Sequence, residues 1–190
     1  HGMDDSVVSF SSASMQNYKM VLPDGSKVTM GYASELSYEP SDFMHGQRRI
    51  SFSGEGYFEV KSDAGHPFVV EAKGFDVVVK GTSFNLYCGN DSVAELSLES
   101  GVVQLEFPDG ARTDMRPGEK AEIDCRAGKA TVSHCDDIDA VSAWQRGEII
   151  LRDASVGDVA DAFGRYYGVN ITIDGEGIDD TVTFTGTLPT

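Results

Sequence analysis

Glu55 and Glu59, in the segment GEGYFEV, come closest in this sequence to a catalytic pair. Two carboxylates on either side of a glycosidic bond can hydrolyse it when they lie ~5–9.5 Å apart. Period-two alternation along a strand places both glutamates on one face, with Tyr57 between them. Four residues of extended chain span roughly 13 Å, so the spacing argues against a catalytic pair on one strand. We therefore predict no catalytic residue here.

The segment VVVKGTSFNLYC raises a second candidate chemistry, because glycine and hydroxyl side chains beside a strand can bind phosphate. A phosphate-binding loop needs the pattern G-x-x-x-x-G-K-[ST] between a strand and a helix, whereas strand-like residues flank KGTSFN on both sides. A glycine inside a strand more often marks a bulge or a bend. We predict that the strand bends at Gly81 and that Thr82 and Asn85 cap freed backbone groups by local hydrogen bonds.

Metal ligands and nucleophiles do not occur in a recognisable pattern. The histidines His45, His66 and His134 lie far apart in the sequence and form neither an H-x-H nor an H-E-x-x-H motif. The three cysteines include no C-x-x-C pair, and no G-x-S-x-G motif marks a serine nucleophile. We therefore expect no metal, no cofactor and no enzymatic activity.

The charge of the chain excludes one class of partner. The 190 residues include 15 Lys+Arg against 31 Asp+Glu, which gives a formal net charge of −16. Such a field repels a phosphate backbone, so we expect no nucleic acid partner. No apolar run approaches the ~20 residues that a membrane span needs. The first three residues, HGM, are typical of an expression-vector remnant.

Short apolar-alternating runs separated by turn residues occupy the chain from Tyr18 to Cys135. The turns PDGS at 23–26 and PDGA at 108–111 favour hairpins, because proline presets φ and glycine accepts a positive φ. Regular short strands of this kind are typical of all-β folds. We predict a multi-stranded β-sandwich or a solenoid-like all-β domain over 18–135, after an N-terminal segment 1–17.

Beyond an acidic linker at 136–143, the pattern becomes that of a small α+β domain over 144–190. The strand GEIILRD precedes a helix that begins at Ser155, where Asp158 completes a capping box. The segments VNITID and TVTFTGTL follow as strands, so the predicted order is β-α-β-β. The predicted apolar face of the helix comprises Val156, Val159, Ala160, Phe163 and Tyr167.

Aromatic side chains near this helix have two predicted roles. Trp144, the only tryptophan, and Tyr167 are expected to fill the small core beneath the helix. Arg165 and Tyr166 point away from the predicted apolar face. They are therefore candidates for contact with another protein.

Taken in order, several segments resemble the FecR family of cell-surface signalling proteins, the anti-sigma regulators of iron-dicitrate type. The matching motifs are LPDGSKV, RRISFSGEGYFEV, HPFVV, VKGTSFNL, ESGVV and RPGEKA, which span roughly Tyr18 to Glu122. The residues to which the resemblance assigns a structural role are Pro23, Asp24, Gly25, Gly54, Glu55, Tyr57, Phe58, Gly81, Thr82, Phe84, Asn85, Gly101, Pro117, Gly118 and Trp144.

The segment from Trp144 onward is similar to the small domain that follows in FecR proteins of the Bacteroidetes type. That domain is related to the short N-terminal fold of secretins and TonB-dependent transporters. The related fold continues with a second helix and a further strand, so the resemblance implies a truncated copy over 144–190.

The resemblance also implies a full-length architecture. A cytoplasmic segment would bind an extracytoplasmic-function sigma factor, and one transmembrane helix would cross the inner membrane; both are absent from this chain. The part present would be the periplasmic ectodomain. It would sense the ligand-occupied state of an outer-membrane TonB-dependent transporter by contacting that transporter's N-terminal signalling domain.

We expect this contact at the side of the helix near Arg165 and Tyr166, or by edge pairing along the last strand at Thr183, Thr185 and Gly186. An alternative hypothesis is a secreted β-sandwich that binds or cleaves carbohydrate. The strand-borne glutamates and the tryptophan described above are the features that support the alternative.

Overall fold

The computed structural model describes residues 6–13, 17–89, 92–174 and 181–190 of the chain. The described strands are β1 (Val8–Ser11), β2 (Tyr18–Val21), β3 (Lys27–Met30), β4 (Glu35–Tyr38), β5 (Arg48–Val60), β6 (Phe68–Ala72), β7 (Phe75–Val79), β8 (Thr82–Cys88), β9 (Val93–Ser100), β10 (Val103–Glu106), β11 (Arg112–Met115), β12 (Glu119–Asp124), β13 (Lys129–His134), β14 (Glu148–Ala154) and β15 (Phe184–Pro189). The helices are α1 (Pro40–Met44), α2 (Ile138–Ser142) and α3 (Val156–Tyr167), with a 3₁₀ turn at Ala143–Arg146. None of these helices combines the length and the apolar character that a bilayer crossing requires.

The first thirteen strands form two sheets that share β5. One sheet has the order β1-β4-β5-β6-β7-β10-β11. The other has the order β2-β3-β5-β8-β9-β12-β13. Neighbouring strands are antiparallel except β5 and β6, which are parallel. The predicted mainly-β class is confirmed, and the shared strand makes the architecture nearly barrel-like.

Gly54 lies where β5 passes from one sheet to the other. The strand pairs with β4 up to Ser53 and with β8 from Gly54 onward. Gly54 has φ +103°, a conformation that L side chains rarely adopt, and a Cβ here would lie 2.3 Å from Ser34 Oγ. That hydroxyl donates to the Glu55 carbonyl oxygen and accepts from the Glu55 amide. The glycine therefore permits the bend that joins the two sheets.

The hydrophobic core lies between the two sheets and centres on phenylalanine rings. Phe58 and Phe84 are cross-strand partners whose rings stack with centroids 4.9 Å apart. Phe52 meets Phe58 edge-on at 5.1 Å. Phe58 and Phe84 are fully buried, and burying such a side chain stabilises a fold by roughly 1.5–3 kcal/mol.

The two predicted PDG hairpins are confirmed, at β2–β3 and at β10–β11. Gly25 and Gly110 have φ +86° and +87° in these turns. Asp24 Oδ1 accepts from the Ser26 amide at 2.9 Å, and its Oδ2 accepts from Arg48 at 3.1 Å. The side chain of Arg48 is 5% exposed, so this ion pair ties the turn to the start of β5.

Gly81 forms the predicted bend between β7 and β8. A Cβ on Gly81 would lie 2.8 Å from Ser62 Cα, and a Cβ on Gly101 would lie 2.4 Å from the Gly81 carbonyl oxygen. Thr82 Oγ1 donates to the Val102 carbonyl oxygen at 3.1 Å, so Thr82 does cap a backbone group, but one of a segment 20 residues away instead of a local one. Close approach of two backbone segments therefore explains both glycines, and the bend has a structural role.

The C-terminal unit comprises the described residues of 138–190. Helix α3 begins at Ser155 with the predicted capping box to Asp158 and ends at Gly168, whose φ is +64°. Strands β14 and β15 form an antiparallel pair that α3 packs against. The predicted α+β character of this region is confirmed.

Three local features differ from the sequence-based expectations. The N-terminal segment contributes β1, which pairs with β4. The segment expected as a linker contains α2, because Asp137 Oδ1 caps the helix by accepting from the Ala140 amide at 3.0 Å. The segment VNITID at 169–174 is exposed and forms no strand. The order in the described residues of the C-terminal unit is therefore β-α-β, since β15 pairs directly with β14.

Candidate functional site at the junction

The outer face of the sheet that contains β8 and β9 carries polar side chains beneath the C-terminal unit. Strand register aligns two rows across β5, β8 and β9, namely Glu55–Tyr87–Glu95 and Tyr57–Asn85–Ser97. Successive strand residues point to opposite faces, so the apolar residues between these positions enter the core. The local sequence alternation therefore builds both the core and this polar face.

Trp144, Asn85 and Glu55 form a hydrogen-bonded chain across the junction. The Trp144 indole Nε1 donates to Asn85 Oδ1 at 2.8 Å, and Asn85 Nδ2 donates to Glu55 Oε1 at 3.2 Å. The prediction that Asn85 caps a local backbone group is wrong. Its side chain lies on the outer face, where the indole of the C-terminal unit provides a distant partner.

Arg165 of α3 reaches across the same junction to the row Glu55–Tyr87–Glu95. Its Nη1 and Nη2 donate to the two carboxylate oxygens of Glu95 at 3.1 and 2.8 Å. The guanidinium also lies 4.3 Å from the centroid of the Tyr87 ring, within cation–π range. A bidentate pair is geometrically specific. The charge of Arg165 is thus engaged within the chain, and its role in contact with another protein stays a prediction.

Tyr166 is buried, with 9% of its surface exposed, whereas Tyr167 is 42% exposed. The prediction that Tyr166 points outward and Tyr167 inward is therefore wrong, while the prediction of Trp144 in the small core is confirmed. The helix turns its Val159–Ala162–Phe163 stripe toward β14, and Tyr166 continues that stripe one turn later. The Tyr166 hydroxyl accepts from Thr190 Oγ1 at 2.6 Å and from Asn17 Nδ2 at 3.3 Å.

The pKa values of Glu55 and Glu95, which lie in the same row, are shifted in opposite directions. Burial is the largest cause that raises the pKa of the Glu55 carboxyl above its ordinary value, although the hydrogen bond from Asn85 and the charge of Arg165 oppose it. The pKa of Glu95 is lowered, first of all by the hydrogen bond from Arg165. Glu95 therefore serves as the anionic partner of Arg165, and Glu55 is the carboxyl that retains a proton more readily.

A cavity of about 270 Å³ lies at the junction between the outer face and the C-terminal unit. Its lining includes Trp144, Tyr166, Lys120 and the two junction residues Glu55 and Arg165. Ligand pockets usually measure ~300–1,000 Å³. The cavity is smaller than that, so its size alone does not indicate a ligand.

The geometry does not assemble a catalytic or metal-binding group in the described residues. Glu55 is held by Asn85, whereas Glu59 lies further along β5 and is exposed. Nowhere in 6–13, 17–89, 92–174 or 181–190 do three or more His, Cys, Asp or Glu side chains gather to hold a metal ion.

The other predicted contact residues lie in or beside β15. Thr183 precedes β15, and Thr185 and Gly186 are within it; all three are exposed. Thr185 Oγ1 accepts from the Asp153 amide at 2.9 Å. The structure thus separates the five predicted contact residues into two at the junction, Arg165 and Tyr166, and three in or directly before β15.

The motifs that shape this junction also define a family. The sequence matches the FecR protein family over residues 9–104, which is half of the chain. The chain belongs to the FecR family. In this FecR-family chain Trp144 of the C-terminal unit binds the motif residue Asn85, which in turn binds the motif residue Glu55.

Two crystal structures have the same fold as this chain. Both are of a proposed anti-sigma factor from Parabacteroides distasonis ATCC 8503, at 1.65 and 2.50 Å resolution. The first has a TM-score of 0.77 and 26% identity, covering 96% of this chain and 84% of the other. The second has a TM-score of 0.76 and 24% identity, covering 97% and 85%. No curated protein gives a significant sequence match.

Sequence reasoning missed Tyr87 and Glu95 as residues of the junction. Both occupy alternate strand positions that read locally as ordinary solvent-facing side chains. A weak signal was Arg165, a cation in a chain that has 31 acidic residues against 15 basic ones, so that an anionic partner is readily available. Their importance follows from a contact that spans 70 residues of sequence.

Proposed function

We propose that this chain is the periplasmic sensor ectodomain of a FecR-like anti-sigma regulator. It relays the ligand-occupied state of an outer-membrane TonB-dependent transporter toward an extracytoplasmic-function sigma factor in the cytoplasm. The relay works by protein contact, without a chemical reaction. A cytoplasmic segment and a transmembrane helix outside this chain complete the path.

FecR-family membership is the observation that carries this proposal. The structures with the same fold, described as a proposed anti-sigma factor, support the regulatory role. The family is one of regulators. The polar groups of Trp144, Asn85 and Glu55 bind one another across the junction. These features favour a relay over the carbohydrate-binding alternative.

In this proposal β15 contacts the partner, and the junction holds the C-terminal unit on the β-sheets. In this proposal the outer strand β15, with Thr183, Thr185 and Gly186, meets the transporter's signalling domain. Arg165 and Tyr166 act behind that surface, because they fix the C-terminal unit to the β-sheets. A partner that shifts the C-terminal unit would therefore also disturb the junction.

The direct test is binding to the signalling domains of the transporters encoded beside this gene. Each domain is purified and titrated calorimetrically into this chain. We expect one domain to bind with a Kd in the micromolar range. If none of these domains binds, the proposed function is wrong.

Arg165→Ala tests whether the junction transmits the signal. Binding of the signalling domain should stay within about twofold of the unaltered chain, since Arg165 lies behind the contact surface. A sigma-dependent reporter in cells that carry the full-length variant should lose its response to the transporter's ligand. Arg112→Ala is the matched control, because Arg112 pairs with Glu106 on β10, away from the junction. Equal reporter responses in the two variants would contradict a relay through the junction.

A further inference from the structure

The carboxyl of Glu55 lies between the β-sheets and the C-terminal unit. Its Oε1 accepts from Asn85 Nδ2 at 3.2 Å, and Asn85 Oδ1 in turn accepts from the Trp144 indole at 2.8 Å. One amide side chain therefore connects the carboxyl to the tryptophan of the C-terminal unit. This amide is a neutral donor, which stabilises a carboxylate less than a cation does.

The cation that acts on Glu55 is Arg165 of α3, and its donors are already engaged. Its Nη1 and Nη2 donate to the two carboxylate oxygens of Glu95 at 3.1 and 2.8 Å. The charge of Glu95 also opposes the attraction of Arg165 for Glu55. An ionised Glu55 would therefore place a second negative charge beside an ion pair that is already neutral.

Other titratable groups face the junction from the elements packed around Glu55. They are Tyr32, Tyr57, Tyr87, Glu99, Lys120, Cys135 and Glu148. The tyrosines and the cysteine are uncharged below about pH 7. Glu148 pairs with Arg146, and the exposed Lys120 acts on Glu95. Among the described groups, Arg165 is thus the cation on which an ionised Glu55 would depend.

Docking of the C-terminal unit covers the outer sheet face on which Glu55 lies. Burial raises the pKa of the Glu55 carboxyl, so the docked state holds this proton more tightly than a state with the unit moved away. Docking is therefore favoured below the ordinary pKa of a glutamate and weakens as pH rises through the docked value. The pKa of Glu95 is lowered in the docked state, so docking also weakens in strong acid, when Glu95 is protonated and releases Arg165.

We infer that Glu55 makes the attachment of the C-terminal unit sensitive to pH. The unit is held most firmly in mild acid and loosens as Glu55 ionises, while the β-sheets remain folded. The physical cause is that a carboxylate without a paired positive charge is costly to keep beneath the unit. Docking within one chain needs no transporter, so this switch and the proposed function can fail separately.

Amide hydrogen exchange of the full chain, followed by mass spectrometry from about pH 5 to about pH 7, tests this switch. Protection factors, which are corrected for the intrinsic pH dependence of exchange, should fall for α3 and β14 as pH rises. The fall should reach about tenfold for each unit by which docking raises the pKa of Glu55. Protection of β6 and β7, which lie in the other sheet, should change less than about twofold. Unchanged protection of α3, or an equal fall in β6 and β7, overturns the inference.

Glu55→Gln removes the ionisable group with little change of shape, so protection of α3 should become independent of pH over the same range. Glu59→Gln is the matched control, because Glu59 lies on the same strand but is exposed, and it should keep the decline of the unaltered chain. Acrylamide quenching of Trp144, the only tryptophan, gives a second reading of the unaltered chain and should increase as the unit loosens. Equal pH profiles for the two variants, or quenching that does not change with pH, would show that Glu55 does not control the attachment.

Discussion

The β-sheet region and the C-terminal unit both pack apolar side chains between secondary-structure elements, but only the first closes its core. Phe58, Phe84 and Leu96 in the sheets are fully buried. In the C-terminal unit, β14 is buried beneath α3 while Phe184 and Leu188 of β15 remain exposed. Closed cores supply stability, whereas an open apolar face is available for a partner.

The junction shows a second difference between the two regions. The core between the sheets consists of apolar side chains, whereas the C-terminal unit is attached through the polar pairs Trp144–Asn85 and Arg165–Glu95 in addition to apolar packing. Polar contacts depend on orientation more steeply than apolar ones. A bound partner could therefore change the geometry of this attachment without opening the core between the sheets.

The largest expected effect comes from opening the closed core. Phe84→Ala should lower the free energy of unfolding by about 3–5 kcal/mol, because it removes a fully buried ring that stacks on Phe58. Leu188→Ala, at a position 40% exposed, should change it by less than about 1 kcal/mol. Urea titration followed by circular dichroism measures both values. Similar losses at the two sites would mean that β15 belongs to a closed core after all.

Substitution of two glycines with positive φ, Gly101 in the β-sheet region and Gly168 at the end of α3, should give intermediate losses of stability. Gly101→Ala should cost about 3 kcal/mol, because the strained backbone is combined with a Cβ only 2.4 Å from the Gly81 carbonyl oxygen. Gly168→Ala places its Cβ against the side-chain ring of Tyr32, which is 38% exposed and not fixed in a closed core, so about 1–2 kcal/mol is expected. Thermal unfolding of the two variants gives the order. The reverse order would show that the junction is packed as rigidly as the sheets.

Trp144→Phe tests the polar attachment with little change of shape. The indole N–H is lost and Asn85 Oδ1 is left unsatisfied in a buried site, which should cost about 1–3 kcal/mol. Because Trp144 is the only tryptophan, unfolding must be followed by circular dichroism instead of fluorescence. Adding Asn85→Ala to Trp144→Phe should cost less than the sum of the two single changes. Additive losses would mean that the hydrogen bond contributes nothing to the attachment.

The smallest expected effect is a pH dependence that belongs to the junction. The pKa of Glu55 is raised in the folded chain, chiefly by burial, so the unfolded state loses this proton at a lower pH. The stability contributed by this group is present below its unfolded pKa and falls as pH rises through the folded pKa. Glu55→Gln should remove that decline and gain stability relative to the unaltered chain as pH rises above about 4.5.

Glu95→Gln is the matched comparison for this pH dependence. The pKa of Glu95 is lowered by Arg165, so its contribution is present above the unfolded pKa and is lost as pH falls. The Glu95 variant should therefore lose stability relative to the unaltered chain at neutral pH and converge with it in acid. Denaturant titrations at several pH values separate the two trends. Parallel pH profiles for both variants would refute opposite roles for the two carboxyls.

Sequence patterns were sufficient for features that depend on near neighbours. The PDG hairpins and the capping box at Ser155 each follow from residues within a few positions of one another. The strand VNITID fails as a prediction for the complementary reason: its alternation is favourable, but the described chain provides no strand to pair with it. A strand exists only with a partner, whereas a turn is complete in itself.

The sequence by itself determined that this chain is an acidic, mainly β protein with a small α+β end and the motifs of the FecR family. Only the tertiary structure decided that Asn85 binds Trp144, 59 residues away, and that Tyr166 faces inward instead of Tyr167. It also decided that β15 is left half uncovered. The reason is that local signals fix backbone conformation, whereas the side of a helix that meets a sheet depends on contacts between distant residues, which the order of the chain does not encode locally.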